Sequence, residues 1–323
     1  MSVHAAALDT AQRFDEPTSA FARDAIEGLS KQPKQLPPKY FYDAEGSALF
    51  EQITGLPEYY PTRTELGILR QRAAEIGAMI PQGAALVEFG AGSTAKLRTL
   101  LSACALGAYV PVDISGDFLN AQAAALRLDF PELAIYPVTA DFTAPFGLPH
   151  TVREMPKVGF FPGSTIGNFE PFEACGFLRS ARKILGPGAM LLIGVDLEKD
   201  DRVLSAAYND AAGVTAKFNL NVLARINREL GGDFDLAAFV HRAIYNRERH
   251  RIEMHLISRT AQTVHLLGRN ISFRAGESIH TESSYKYSVE RFNALARGSG
   301  WSPQALWTDP DGMFSLHALA AAE

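Results

Sequence analysis

The sequence predicts an α/β fold: a mostly parallel, seven-stranded sheet covered by helices on both faces, with a second lobe attached. Three observations carry this. Apolar, strand-like runs alternate with helical patterns from residue 85 to residue 197, the arrangement that buries both faces of a parallel sheet. The chain closes with two strand-like runs around a tight turn, which adds an antiparallel hairpin. Between these parts, residues 197–287 exceed what such a sheet requires.

Taken in order, residues 19–32 form a short helix ended by the proline-rich stretch Pro33 to Pro38. GSALFEQITGL (46–56) places Leu49, Phe50 and Ile53 on one helical face, and Pro57 stops it before the aromatic knot EYYP. Helical spacing of apolar residues then runs from Thr64 to Ile80. The strands follow as ALVEF (85–89), AYVPVDI (108–114), AIYPVTADF (134–142), KVGFFPGS (157–164) and AMLLIGVDL (189–197), with helices over 117–129 and 171–185. The additional segment reads as a helix over 202–230 and a β-rich stretch over 236–274. A helix over 288–299, a strand around 304–308, the turn DPDG (309–312) and the strand MFSLHAL (313–319) complete the chain. Residues 61–196 and 288–323 thus form the sheet domain, and residues 1–60 and 197–287 the second lobe.

Composition narrows the function classes. Of 323 residues, 47% are hydrophobic and 21% charged, as in ordinary soluble globular proteins. A net charge of −5 argues against a nucleic-acid partner, which needs a surplus of Lys and Arg on one face. Cys104 and Cys175 make neither a metal-ligand spacing nor a disulfide framework. His250 and His255, at odd spacing on a strand-like run, face opposite sides, so no metal is expected. The N-terminus has no basic start and apolar run of a signal peptide, and no stretch reaches the ~18 apolar residues of a membrane helix. The expectation is a cytoplasmic protein acting on a small molecule, without a membrane or an obligate protein partner.

VEFGAGSTAK puts Glu88, Gly90 and Gly92 at the carboxyl end of the first strand, where open α/β sheets bind ligands. Glycines let backbone approach a ligand, and the next helix offers free N–H groups. Gly90, Gly92 and Ala95 also match the G-x-G-x-x-A dinucleotide fingerprint, so a nicotinamide-dependent oxidoreductase stands as one alternative. The acid just before the turn, Glu88, instead suits adenosylmethionine enzymes. Asp113, ending the second strand, can bind ribose hydroxyls. Asp141-Phe142 ends the third strand, where methyltransferases commonly hold the adenine amino group. The closing hairpin likewise looks like that of a class I, Rossmann-like methyltransferase domain.

The runs FYDAEGSALFEQITGLPEYYPTRTE (41–65), PGSTIGN (162–168), YNDAAGVTAKFNLN (208–221) and TESS (281–284) resemble the histidine-specific Nα-methyltransferases of ergothioneine biosynthesis, over nearly the whole chain. The resemblance implies up to three methyl transfers from S-adenosylmethionine to the α-amino group of free L-histidine, giving trimethylhistidine (hercynine). It implies catalytic roles for Tyr42 and Asn168. Phe50 would line the amino-acid pocket with Tyr42, while Tyr59, Asn168 and Tyr208 hold the carboxylate and amino group, with Gly163 and Thr215 alongside. Glu282 and Ser284 would hydrogen-bond the imidazole near Met254. Gly90, Lys96, Asp113, Asp141 and Phe142 correspond to the cofactor set, which Glu88 and Gly92 join by their place at the turn. Ser283 and Tyr285 depart locally from the pattern and can retune side-chain preference.

These residue types suit the chemistry. The nucleophile must be a neutral amine, and neutral tyrosines with an asparagine clamp a zwitterion without adding a cation beside it. Aromatic walls attract a methylated ammonium. Taken singly, each residue has a plainer reading: Tyr59 as core packing, Asn168 as a turn residue, Glu282 as a solvated strand-end acid, Met254 as core filler. Tryptophan or another aromatic amino acid is the nearest alternative substrate, and a non-catalytic S-adenosylmethionine-binding module a remoter one.

Overall fold

The computed structural model describes residues 19–92 and 94–322. Residues 1–18 of the expected second lobe, and Glu323, lie outside the described residues.

The described residues open with helix α1 (Ala20–Ser30), whose N-cap Ser19 accepts from the Ala22 N–H. Strand β1 (Lys34–Gln35) and helix α2 (Ala44–Thr54), capped by Asp43, follow. The helix expected over 64–80 is instead two, α3 (Tyr60–Gln71) and α4 (Ala73–Met79), broken at Arg72 with φ −110° and ψ 11°. Apolar periodicity persists across the break, so the sequence pattern does not reveal it.

The sheet strands are β2 (Ala85–Phe89), β3 (Ala108–Asp113), β4 (Ala134–Ile135), β5 (Val138–Thr139), β6 (Lys157–Phe161) and β7 (Met190–Asp196). Between them run α5 (Ala95–Leu101), α6 (Gly116–Asp129) and α7 (Pro171–Leu185). The third expected strand is two fragments, β4 and β5, both paired with β3. Pro137, between them, has no N–H to give the ladder. Likewise Pro162 follows the end of β6 at Phe161.

The helix expected over 202–230 is α8 (Asp201–Tyr208) and α9 (Val214–Leu230). Gly213, at φ +69°, turns the chain between them, and Asp210 accepts from the Val214 and Thr215 N–H groups. Strands β8 (Phe239–Asn246), β9 (Arg251–Ser258), β10 (Gln262–Leu266), β11 (Arg269–Phe273) and β12 (Ser278–Tyr285) follow, so the β-rich stretch continues past residue 274. His250 sits in the turn before β9 at φ +54° rather than on the strand. Helix α10 (Val289–Gly298) and the hairpin β13 (Trp301–Thr308) and β14 (Phe314–Ala321) end the chain.

The main sheet runs β13-β14-β7-β6-β2-β3-β4, with β5 also on β3. Counting β4 and β5 as one broken strand, it has seven strands, parallel except for β14. One face packs Val87, Phe89 and Val112 against α7 and α10; the other packs Leu86 and Tyr109 against α3 to α6. This order, with the hairpin inserted antiparallel beside β7, is that of the class I methyltransferase fold. A separate sheet, β1-β12-β9-β8, shares a third core with α1, α2 and α9 through Phe41, Leu49, Phe218, Ile252 and Leu256. No helix among the described residues is long and apolar enough to cross a membrane.

Candidate active site

A cavity opens at the carboxyl ends of β6 and β7, roofed by the smaller sheet and α2, α8 and α9. Tyr42, Phe50, Tyr59, Gly163, Asn168, Tyr208, Thr215, Met254, Glu282 and Ser284, the whole expected substrate set, line it. Among the described residues no Arg or Lys does.

Local geometry explains how segments so far apart converge. Gly163 at φ +80° and Ser164 at φ +57° turn the chain sharply after β6 into a 3-10 turn over Thr165–Asn168. At Gly167 an added Cβ would lie 2.7 Å from the Tyr285 carbonyl oxygen. Glycine there lets the turn press against β12, which carries Glu282 and Ser284. Glu282 pairs directly with Met254 across β12 and β9, just after a bulge at His280.

The rings form one aromatic wall. Tyr42 meets Phe50 and Phe218 edge-on, each at 5.6 Å between centroids, and Tyr59 meets Phe50 at 6.2 Å and Tyr208 at 6.4 Å. Burial raises the hydroxyl pKa of Tyr42, Tyr59 and Tyr208, against the pull of Lys286 at Tyr208. All three are neutral hydrogen-bond donors. Glu282 is buried and pushed up to about 7, with Lys286 opposing the shift.

Beneath the cavity lies a polar floor. Asp196, at the end of β7, accepts from Tyr60 Oη at 2.8 Å, Lys199 Nζ at 2.6 Å and Lys286 Nζ at 2.7 Å. Burial would raise its carboxyl, but the two lysines outweigh it and hold it below the usual range.

The residues expected to bind the cofactor form a row along the same sheet edge. Gly90, at φ +72°, has Phe142 Cε1 3.2 Å from where a Cβ would sit, and the Gly90 and Ala91 N–H groups both donate to the Val112 carbonyl. At Gly92 a Cβ would meet nothing within 4 Å, so the turn opens outward there. Asp113 accepts from the Ser115 N–H at 2.8 Å, and burial raises its carboxyl. Asp141 lies in the turn after β5, accepting from the Thr143 N–H at 2.9 Å, with Lys39 at 3.8 Å. Glu88 is buried beside the turn with the Tyr109 hydroxyl donating to it, and burial pushes it up to about 7. A close-approach backbone turn followed by a carboxylate bonded only to local N–H groups fits a nucleoside with a ribose diol, as in S-adenosylmethionine.

Lys96 joins the two halves rather than reaching into open space. Its ammonium lies 2.6 Å from the fully buried Glu65, which also accepts from the Gly163 N–H at 2.9 Å. Gly194 makes room, since a Cβ there would stand 2.1 Å from Glu65 Oε1.

Sequence reasoning missed Glu65, Tyr60, Asp196, Lys199 and Lys286. Signals existed for three. Glu65 closes the 41–65 run, Asp196 is an acid at the end of an apolar strand, and Lys286 continues the alternation of Glu282 and Ser284.

A family model for histidine-specific, S-adenosylmethionine-dependent methyltransferases matches residues 21–321. The histidine N-alpha-methyltransferase of Mycolicibacterium smegmatis is 47% identical over 309 residues, covering 94% of this chain and 95% of that one. The enzyme of the same name from Mycobacterium tuberculosis is 43% identical over 312 residues, covering 94% and 95%. Ergothioneine biosynthesis protein 1 of Neurospora crassa is 31% identical, covering 89% of this chain and 33% of its own length. With this strand order and these matches over almost the full chain, the protein belongs to the histidine-specific, S-adenosylmethionine-dependent methyltransferases.

Proposed function

We propose that the protein methylates the α-amino group of free L-histidine, up to the trimethylated betaine hercynine, as a step in ergothioneine biosynthesis. The observation that carries this is that Tyr42, Tyr59, Tyr208 and Asn168 line one cavity together with the buried polar pair Glu282 and Ser284; in this reading the first four serve the amino-acid backbone and the pair serves a side chain with two nitrogens. Residues 1–60 and 197–287 act as the substrate lobe, and residues 61–196 and 288–323 hold the methyl donor through Glu88, Gly90, Gly92, Asp113, Asp141 and Phe142, with Lys96 bracing that region through Glu65. The enzyme works in the cytoplasm on a free amino acid and needs no protein partner.

S-adenosylmethionine supplies an activated methyl group and a positive charge that disfavours an ammonium beside it. The chain's own residues bind and orient. Neutral tyrosine hydroxyls and the Asn168 amide hold the substrate carboxylate and amine without an added cation. Fixing the amine in line is worth much of the barrier. Tyr42, Phe50 and Tyr59 leave an aromatic surface for a methylated nitrogen, which such rings attract.

Histidine is favoured over tryptophan because an indole has one N–H and no acceptor nitrogen, so it would leave the Ser284 hydroxyl unpaired in the pocket. Sites built this way reject the unpaired ligand by ~10⁴-fold or more. The test is relative kcat/KM for histidine and tryptophan in wild type and Glu282→Ala, with mass spectrometry of products from a mixture of amino acids. Glu282→Ala should cut histidine turnover and relax exclusion of larger rings. An unchanged ratio removes Glu282 from the side-chain pocket.

A further inference from the structure

Lys286 lies just past the end of β12, fully buried, and does not itself line the cavity. An ammonium has three N–H donors and no acceptor. All three are used: Asp196 Oδ2 at 2.7 Å, Ser284 Oγ at 2.8 Å and Tyr208 Oη at 3.0 Å. The two hydroxyls also bond each other at 2.8 Å.

Counting hydrogens constrains what the cavity sees. Both hydroxyl oxygens already accept from Lys286, and one hydroxyl proton lies between them. The other is left to donate toward a ligand. Tyr208 donates its proton to Ser284 Oγ, so Ser284 keeps its own for the side chain of the substrate. A fixed cation 2.8 Å behind Ser284 Oγ also repels a ring N–H presented from the front. At the opposite partner the same charge favours ionised Glu282, which can only accept.

We propose that Lys286 is a positioning residue that selects the neutral imidazole, in the tautomer whose N–H meets Glu282 and whose bare nitrogen accepts from Ser284. This rests on the reading that Glu282 and Ser284 hold the imidazole. Asp196, with Tyr60 and Lys199 bonded to it, and Tyr208, Tyr245 and Glu282 are the titratable groups around Lys286. Of these, Lys199 is pushed down to about 8 by burial and Glu282 up to about 7. Glu282 therefore has to be separated from the ring in the test.

The direct measurement uses wild-type protein, ring-¹⁵N histidine and S-adenosylhomocysteine at a pH of about 6, where free imidazole is mostly protonated given its pKa of about 6.5. Two widely separated nitrogen resonances, one protonated and one bare, are expected. Two similar, protonated-type resonances overturn the proposal. Calorimetry of histidine binding then assigns the effect. Wild type should bind about tenfold or more weakly at pH 5.5 than at pH 8, since only the neutral ring is accepted. Lys286→Met should shrink that ratio to roughly threefold or less by admitting the imidazolium, and Lys286→Arg, which keeps the charge, should restore it. A full ratio in Lys286→Met overturns the proposal. Glu282→Gln separates the two ideas: unchanged histidine affinity there sinks the reading of the pocket itself. Weakened affinity there, with an intact ratio in Lys286→Met, sinks the role of Lys286 alone.

Discussion

The Glu65–Lys96 pair offers a quantitative check on how the two ligand regions are held together. Glu65 is 0% exposed and Lys96 9%, and their contact is 2.6 Å. Removing one buried partner leaves the other charge uncompensated, which costs about 3–5 kcal/mol. Total stability is about 5–15 kcal/mol, so either single change is severe. Glu65→Gln keeps an acceptor for the Gly163 N–H and deletes only the charge; Lys96→Met deletes the other. In the double variant no charge is stranded, so its cost should fall below the sum of the singles by about 1–3 kcal/mol. Urea unfolding followed by the fluorescence of Trp301 and Trp307 measures all three. Additivity within about 0.5 kcal/mol, or a single variant costing below about 1 kcal/mol, refutes a buried, mutually dependent pair.

Asp113→Ala should weaken S-adenosylmethionine binding by ~1–3 kcal/mol, the worth of hydrogen bonds to a charged group, and unchanged calorimetry would remove Asp113 from that site. Asn168→Ala should raise KM for histidine strongly and leave S-adenosylmethionine binding nearly intact; equal losses for both point to a folding defect instead. Burial pushes Glu88 up to about 7 from an ordinary 4.5. Its protonated form therefore favours the folded chain, fully so below about pH 4.5, and that contribution fades as pH rises through 7. The ligand-free protein should lose of order 1–3 kcal/mol from this group between pH 5 and 8. Glu88→Gln should flatten the slope of urea midpoint against pH, and an unaltered slope would contradict the shift.

Local chemistry made the sheet readable. The buried strands β2, β3, β6 and β7 are short apolar runs bounded by Gly, Pro or acid, and α7 begins at a proline behind a Glu170/Glu173 capping box. These features act within a few residues, so the sequence alone determines them. The distinctive runs around Tyr42, Asn168, Tyr208 and Glu282 marked one pocket before its geometry was known, because together they resemble the motifs of one enzyme family.

What tertiary structure decided was partnership. Apolar periodicity continues through Arg72 and on from α8 into α9, while the backbone breaks there to bend the helices around a core assembled from distant segments. Lys96 reads as a ligand-facing lysine at a helix start, yet its charge is spent on Glu65 from α3. Position alone sets Asp196 and Lys286 apart in the sequence, but that they are partners shows only when β7 and β12 bring them to 2.7 Å. A buried charge is tolerable only where a counter-charge meets it, and that counter-charge arrives through folding, from a part of the chain no local pattern can name.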